Sequence, residues 1–84
     1  MSTLKVLLTI EEGFAKTIFE GEKGAVEWFL KGFQYARKTN LESPEVIGVL
    51  NELMKVPTLG NYVYWATGTL SAMENKKGKL EVIE

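Results

Sequence analysis

The first twenty residues carry the period-two pattern of apolar and polar positions that is typical of β-strands. Residues 3–10 alternate clearly, and their apolar face holds Leu4, Val6, Leu8 and Ile10. Residues 14–20 are ambiguous, because helical spacing groups Ile10, Phe14 and Ile18 as well as alternation does. We favour a second strand over 14–20, since Gly13 and Gly21 bracket the segment and a seven-residue helix would be marginal.

The next segment, residues 25–40, changes to the three- and four-residue spacing of an amphipathic helix. Its apolar stripe comprises Ala25, Val26, Phe29, Leu30, Phe33 and Ala36. Glu27 and Lys31 stand four residues apart, a spacing that favours an ion pair. Gly32 costs roughly 1 kcal/mol against alanine in a helix interior. Its presence suggests that another part of the chain approaches closely there. Asn40 is a plausible C-terminal end for this helix, since asparagine tolerates the left-handed conformation found there.

Residues 43–55 hold the strongest local helix signal in the chain. Ser43 suits the cap position, Pro44 the first helical position and Glu45 the first turn. The apolar stripe comprises Val46, Ile47, Leu50, Leu53 and Met54. Pro57 disfavours a helical residue before it, so the helix should end near Val56.

Residues 61–73, NYVYWATGTLSAM, hold the densest group of aromatic and β-branched side chains. Such residues suit a pleated, half-buried surface, so we favour a strand here. The alternative is a third helix over 61–77 that ends at Gly78, since Ala66, Leu70 and Met73 also fit helical spacing. The strand prediction makes residues 74–78 a hairpin loop and residues 79–83 a last strand.

These elements predict a single α+β domain over residues 1–84 in the order β-β-α-α-β-β. The expected fold is a four-stranded antiparallel sheet with two helices packed on one face. The other sheet face would then be uncovered. If it carried Val63, Trp65 and Met73, it would expose an apolar patch of the kind that marks an interaction site.

Composition and charge limit the cellular location and the kinds of partner that we expect. The chain has 84 residues and no cysteine, which suits a reducing cytoplasm, and we expect a cytoplasmic location. Its longest apolar runs fall far short of the roughly 20 residues of a membrane span. Residues 1–42 hold six basic and six acidic side chains, and residues 43–84 hold four and five. Neither half therefore has the positive field that drives non-specific nucleic-acid binding.

Missing residue types argue against catalysis. The chain contains no histidine, cysteine or aspartate, which removes the Ser-His-Asp and Cys-His arrangements and the usual zinc ligands. The close glutamate pairs, Glu11 with Glu12 and Glu20 with Glu22, are more simply solvated side chains. The GEKG at 21–24 lacks the spacing of a phosphate-binding loop. We expect no enzyme activity, no cofactor and no metal site.

The aromatic side chains remain as candidates for function. The predicted interaction surface comprises Trp65, Tyr64, Tyr62, Trp28, Tyr35, Lys76 and Lys77. Tryptophan and tyrosine are favoured as interface anchors. The first hypothesis is a small non-catalytic protein-interaction module of adaptor or inhibitor type, a size also common among virus-encoded regulators. Its partner would be another protein or a second copy in a homodimer, with no membrane involved.

The second hypothesis is a single-stranded nucleic-acid-binding protein. Tyr62, Tyr64 and Trp65 would stack bases on the sheet, and Lys76, Lys77 and Lys79 would form a basic rim on the adjoining hairpin. The near-neutral charge of the chain makes this the weaker hypothesis.

Overall fold

The computed structural model describes residues 3–39, 44–55 and 60–84. Within them the chain forms three strands and three helices: β1 (Leu4–Glu11), β2 (Phe14–Gly21), α1 (Lys23–Thr39), α2 (Pro44–Met54), α3 (Asn61–Glu74) and β3 (Lys79–Ile83). The predicted α+β class is correct. The predicted four strands, two helices and order β-β-α-α-β-β are wrong, because residues 61–74 form a helix.

The sheet is three-stranded and antiparallel, in the order β2-β1-β3. Gly13, with φ of 85°, makes the tight turn between β1 and β2. Strand β2 follows directly, which confirms the strand predicted for residues 14–20. Val6 pairs with Phe19 but Leu7 pairs with Thr17, which leaves Ile18 as an extra residue in an irregular β2. The last strand, β3, pairs with β1 and not with residues 61–73.

The core lies between β1 and α1. Val6 and Leu8 of β1 are buried against the apolar stripe of α1, where Val26, Phe29 and Phe33 are fully buried. Phe29 also stacks on Phe19, with ring centroids 4.4 Å apart. The Cα atoms span only 17 Å in the shortest dimension, room for one sheet and one layer of helices.

The sheet face opposite these core residues is mostly polar. Cross-strand partners share a face, so the alternation of β1 puts Lys5 beside Glu20, and Leu7 beside Thr17 and Glu81. The expected apolar patch of Val63, Trp65 and Met73 does not exist on this face, because all three residues belong to α3.

Helix α3 overturns the strand predicted for residues 61–73. Its buried positions, Ala66, Gly68, Thr69 and Ala72, follow helical spacing. The two threonines tolerate the helix because their hydroxyls bond to carbonyls one turn earlier, Thr67 to Val63 at 2.7 Å and Thr69 to Trp65 at 2.9 Å. Tertiary packing of this small-residue stripe therefore overrides the strand preference of the aromatics.

Two glycines allow α1 and α3 to pack backbone against backbone. A Cβ on Gly32 would overlap the Trp65 carbonyl oxygen, and a Cβ on Gly68 would overlap the Phe29 carbonyl oxygen. Each helix thus places a glycine where the other presents a carbonyl. The close approach predicted at Gly32 is confirmed, and Gly68 is its counterpart on α3.

Arg37 holds the connection between α3 and β3. Its guanidinium donates to the carbonyls of Asn75 and Gly78, both at 2.8 Å, and lies 4.5 Å from the centroid of the Phe33 ring. Gly78 has φ of 112° and lies against Leu8 and Thr9 of β1. Residues 74–78 are therefore the end of a helix and its connection to β3, and the predicted hairpin loop is wrong.

Helix α2 packs against α3 and begins at Pro44, as predicted. The predicted cap at Ser43, the stop at Asn40 and the limit set by Val56 and Pro57 lie outside the described residues.

Candidate interaction surface

Helices α1 and α3 bring four aromatic side chains together in two pairs. Trp28 of α1 lies beside Tyr62 of α3, with ring centroids 6.3 Å apart. Tyr35 of α1 lies beside Trp65 of α3, with centroids 5.5 Å apart. We call these four residues, together with Lys31, the aromatic surface.

Helical spacing explains how the two halves of this surface form. Trp28, Lys31 and Tyr35 stand at positions i, i+3 and i+7, which share one face of a helix. Tyr62 and Trp65 are one turn apart on α3. The close crossing at Gly32 and Gly68 brings the two faces near enough for the rings to pair.

The rings are accessible to a partner. Tyr62 is 63% exposed and Tyr35 is 46% exposed, while Trp28 and Trp65 are half-buried between them. Each half-buried tryptophan packs against one exposed tyrosine, and this contact restricts the motion of the tyrosine ring. Such ordering lowers the entropy lost on binding.

Lys31 supplies the charge within this surface. Its Nζ lies 4.5 Å from the centroid of the Trp28 ring. At an exposed site such a cation–π contact contributes about 0.5–1 kcal/mol. The ion pair predicted between Lys31 and Glu27 does not form among the described residues. The predicted interaction surface did not include Lys31, although its three-residue spacing from Trp28 was a usable signal.

The aromatic surface carries four hydrogen-bond donors, the two tyrosine hydroxyls and the two indole N–H groups. Among the residues that the structure describes, neither tyrosine hydroxyl nor either indole N–H of the aromatic surface forms a hydrogen bond. Neither indole nitrogen is a buried atom without a partner.

The other predicted surface residues lie elsewhere. Tyr64 points to a different side of α3 and contacts the edge of Phe19, with centroids 6.0 Å apart. Lys76 and Lys77 follow the C-terminal end of α3, in a depression that also includes Ile10, Met73 and Glu74. Lys79 belongs to β3, where it pairs with Thr9. The predicted surface therefore divides: Trp28, Tyr35, Tyr62 and Trp65 form two ring pairs, whereas Tyr64 contacts Phe19.

Exposed apolar side chains also occur at the β1–β2 turn, on α2 and on β3. Ile10 and Phe14 lie at the β1–β2 turn beside a shallow groove, and Phe14 is 77% exposed. Val49 is exposed on α2. These side chains are useful as controls, because they match the exposure of the tyrosines at other places on the domain.

No group of three or more acidic side chains in the described part of the chain is placed to hold a metal ion. Across those same residues, no helix has both the length and the apolar character of a membrane span. The chain matches no protein-family model, no curated protein and no solved structure.

Proposed function

We propose that this protein is a small, non-catalytic protein-binding module that holds its partner on the aromatic surface. The observation that carries the proposal is the pairing of Trp28 with Tyr62 and of Tyr35 with Trp65 across one helix crossing. The proposed interaction surface therefore lies on helices and not on the sheet. The partner is another protein or a second copy of the chain.

The chemistry of the surface supports this proposal. Tryptophan and tyrosine are enriched in the energetically dominant centres of protein interfaces, where they combine large apolar area with few rotatable bonds. Here two of each stand together with one cation, over a crossing that fixes the helices. Tyr35 and Tyr62 leave apolar area exposed without a described neighbour to cover it.

Nucleic-acid binding has less support. Tyr62 and Glu74, at the two ends of α3, are separated by about 18 Å of helix. Lys76 and Lys77 follow Glu74 and line a depression together with Ile10 and Met73. Single-strand binding combines stacked aromatics with a positive groove. Lys31 contacts the Trp28 ring, but the chain has a net charge of −1 and therefore no excess of positive side chains.

Affinity capture from the native host with four forms of the protein tests the proposal. The forms are the unchanged chain, Tyr62→Ala, Tyr35→Ala and the control Phe14→Ala. Sedimentation velocity on the same forms measures self-association. We expect the unchanged chain and the control to retain the same partner, or to self-associate equally, and both tyrosine variants to lose it.

Equal retention by all four forms, with circular dichroism showing each to be folded, would contradict the proposal. Capture that follows Phe14 in place of the tyrosines would move the interface to the β1–β2 turn. Partner loss upon nuclease treatment would favour the nucleic-acid hypothesis.

A further inference from the structure

The two outer strands of the sheet differ in how well they can pair with a further strand. In the order β2-β1-β3, both β2 and β3 have one edge without a described partner strand. Such an edge presents unpaired backbone N–H and C=O groups, which can pair with another strand. Strand β2 is irregular around Ile18, and irregularities of this kind hinder edge pairing. Strand β3 is regular, because its register with β1 is continuous from Lys79 to Ile83.

Charge is distributed unevenly along β3 and the residues that precede it. Residues 76–84, KKGKLEVIE, have their three lysines in the first half and their two glutamates in the second. Within one copy of the chain, Lys79 lies opposite Thr9 and Glu81 lies opposite Leu7. Neither charged residue forms an ion pair in the described part of the chain. The charges of β3 therefore have no directly opposite counterpart on β1.

From these features we propose that two copies of the chain associate through β3, edge to edge and antiparallel, in one continuous six-stranded sheet with three strands from each copy. Antiparallel pairing brings the lysine half of each segment against the glutamate half of the other. In the register that centres on Leu80 of both copies, Lys79 lies opposite Glu81 twice, once on each side of the twofold axis. Parallel pairing would align lysine with lysine and glutamate with glutamate.

Apolar side chains of β3 favour the same interface. Leu80 and Val82 lie opposite Leu8 and Val6 of β1, so they are on the sheet face that the helices cover. Val6 is fully buried, yet Val82 is 41% exposed, so the helices leave part of β3 uncovered. In the dimer, Leu80 and Val82 of both copies form one apolar strip beside the twofold axis. Strand pairing thus removes apolar area from water and also satisfies the edge groups.

The β3 interface shares no residue with the aromatic surface. It therefore adds self-association to the proposed function and does not depend on it. A dimer through β3 persists when the tyrosines of the aromatic surface are replaced. Capture of another protein is then the measurement that tests the aromatic surface.

Exchange of charges along β3 tests the inference in solution. Sedimentation velocity of the unchanged chain at up to about 1 mM should show a monomer–dimer equilibrium, since short edge interfaces are at the weak end of the range. Lys79→Glu and Glu81→Lys each place like charges opposite one another, and each should raise the dissociation constant about tenfold or more. The double variant Lys79→Glu with Glu81→Lys restores opposite charges and should dimerise as the unchanged chain does. Glu20→Lys, on the edge strand β2, is the matched control and should leave dimerisation unchanged.

Nuclear Overhauser contacts between a labelled and an unlabelled copy give a second measurement. We expect intermolecular contacts between the two Leu80 side chains and between Lys79 and Glu81. Intermolecular contacts confined to other elements would overturn the inference.

Four sedimentation results would also overturn it. These are a monomer at every concentration, equal dimerisation of the two single charge variants and the unchanged chain, a double variant that remains monomeric although circular dichroism shows it to be folded, and loss of the dimer in the control Glu20→Lys. Self-association that is lost in Tyr62→Ala but retained in Glu81→Lys would assign the dimer to the aromatic surface, so that this inference fails and the proposed function stands. Conversely, partner capture that survives both tyrosine variants refutes the proposed function, and a dimer that follows the β3 charges still supports this interface.

Discussion

Replacing Gly32 or Gly68 by alanine perturbs the contact that aligns α1 with α3. At either position the added Cβ would overlap a backbone carbonyl oxygen of the other helix. A carbonyl within a helix cannot rotate away, so the two helices must separate. The carbonyl carbon of Phe29 would also lie only 2.8 Å from a Cβ on Gly68, so the added methyl group meets backbone and not a flexible side chain.

The magnitude follows from two opposing terms. Alanine is favoured over glycine in a helix interior by about 1 kcal/mol. Overpacking costs about 1–3 kcal/mol, and a backbone obstruction belongs at the upper end of that range. Each variant should therefore lose about 2 kcal/mol of unfolding free energy. A domain of 84 residues has about 4–12 kcal/mol in total, so the variants should fold but melt earlier.

Urea unfolding followed by circular dichroism measures this loss, with Gly48→Ala as the matched control. Gly48 lies in α2, and a Cβ there meets no atom within 4 Å. The control should therefore gain about 0.5–1 kcal/mol. Because one separation of the helices accommodates both methyl groups, the double variant Gly32→Ala with Gly68→Ala should lose less than the sum of the single losses. Stabilisation of Gly32→Ala by as much as Gly48→Ala would refute the close crossing.

The remaining predictions concern single side chains. Phe29→Ala removes a fully buried ring that stacks on Phe19, so unfolding free energy should fall by about 3–5 kcal/mol in a urea titration; a loss below 1 kcal/mol would contradict its central position. Arg37→Met keeps length but removes two hydrogen bonds of 2.8 Å, and should cost about 2 kcal/mol, whereas Lys38→Met in the same turn should cost under 0.5 kcal/mol. Thr69→Val keeps the side-chain volume but removes the buried hydroxyl that bonds to the Trp65 carbonyl, so unfolding free energy should fall by about 1 kcal/mol; no loss would show that the hydroxyl contributes little. Tyr62→Ala should change thermal stability by less than about 0.5 kcal/mol, since its ring is mostly exposed, and a larger loss would mean that it belongs to the core.

The spacing of apolar residues predicted those strands and helices whose buried residues recur at one regular interval, two residues in a strand or three to four in a helix. Alternation through Val6 and Leu8 identified β1, and the stripe through Val26, Phe29 and Phe33 identified α1. In both elements the buried residues are large and apolar, so their spacing dominates the pattern. Pro44 marked the start of α2 in the same direct way.

Helix α3 escaped prediction because its buried face is made of small residues. Gly68, Thr69 and Ala72 contribute little to a pattern of apolar size, yet they are the positions that allow α1 to approach. The large aromatics of α3 lie on its surface or at its edges, which inverts the usual relation between size and burial. The pairing of Gly32 with Gly68 depends on tertiary packing, which periodicity does not encode.

The sequence was sufficient to choose candidate residues for the aromatic surface, but it did not predict how these residues are arranged in space. Trp28, Tyr35, Tyr62 and Trp65 are conspicuous by type, and their role as candidates followed from that alone. Their separation from Tyr64 depends on the helical period of α3, where Tyr64 lies toward Phe19. The helix also moves Lys76 and Lys77 from the predicted hairpin to the connection between α3 and β3, where Arg37 bonds to Asn75 and Gly78.

Nuclear Overhauser contacts between aromatic side chains test most directly whether α1 and α3 assemble the aromatic surface. We predict ring-to-ring contacts between Trp28 and Tyr62 and between Tyr35 and Trp65, together with helical amide contacts through residues 61–74. Cross-strand amide contacts between residues 61–73 and 79–83, without the two ring contacts, would contradict the account.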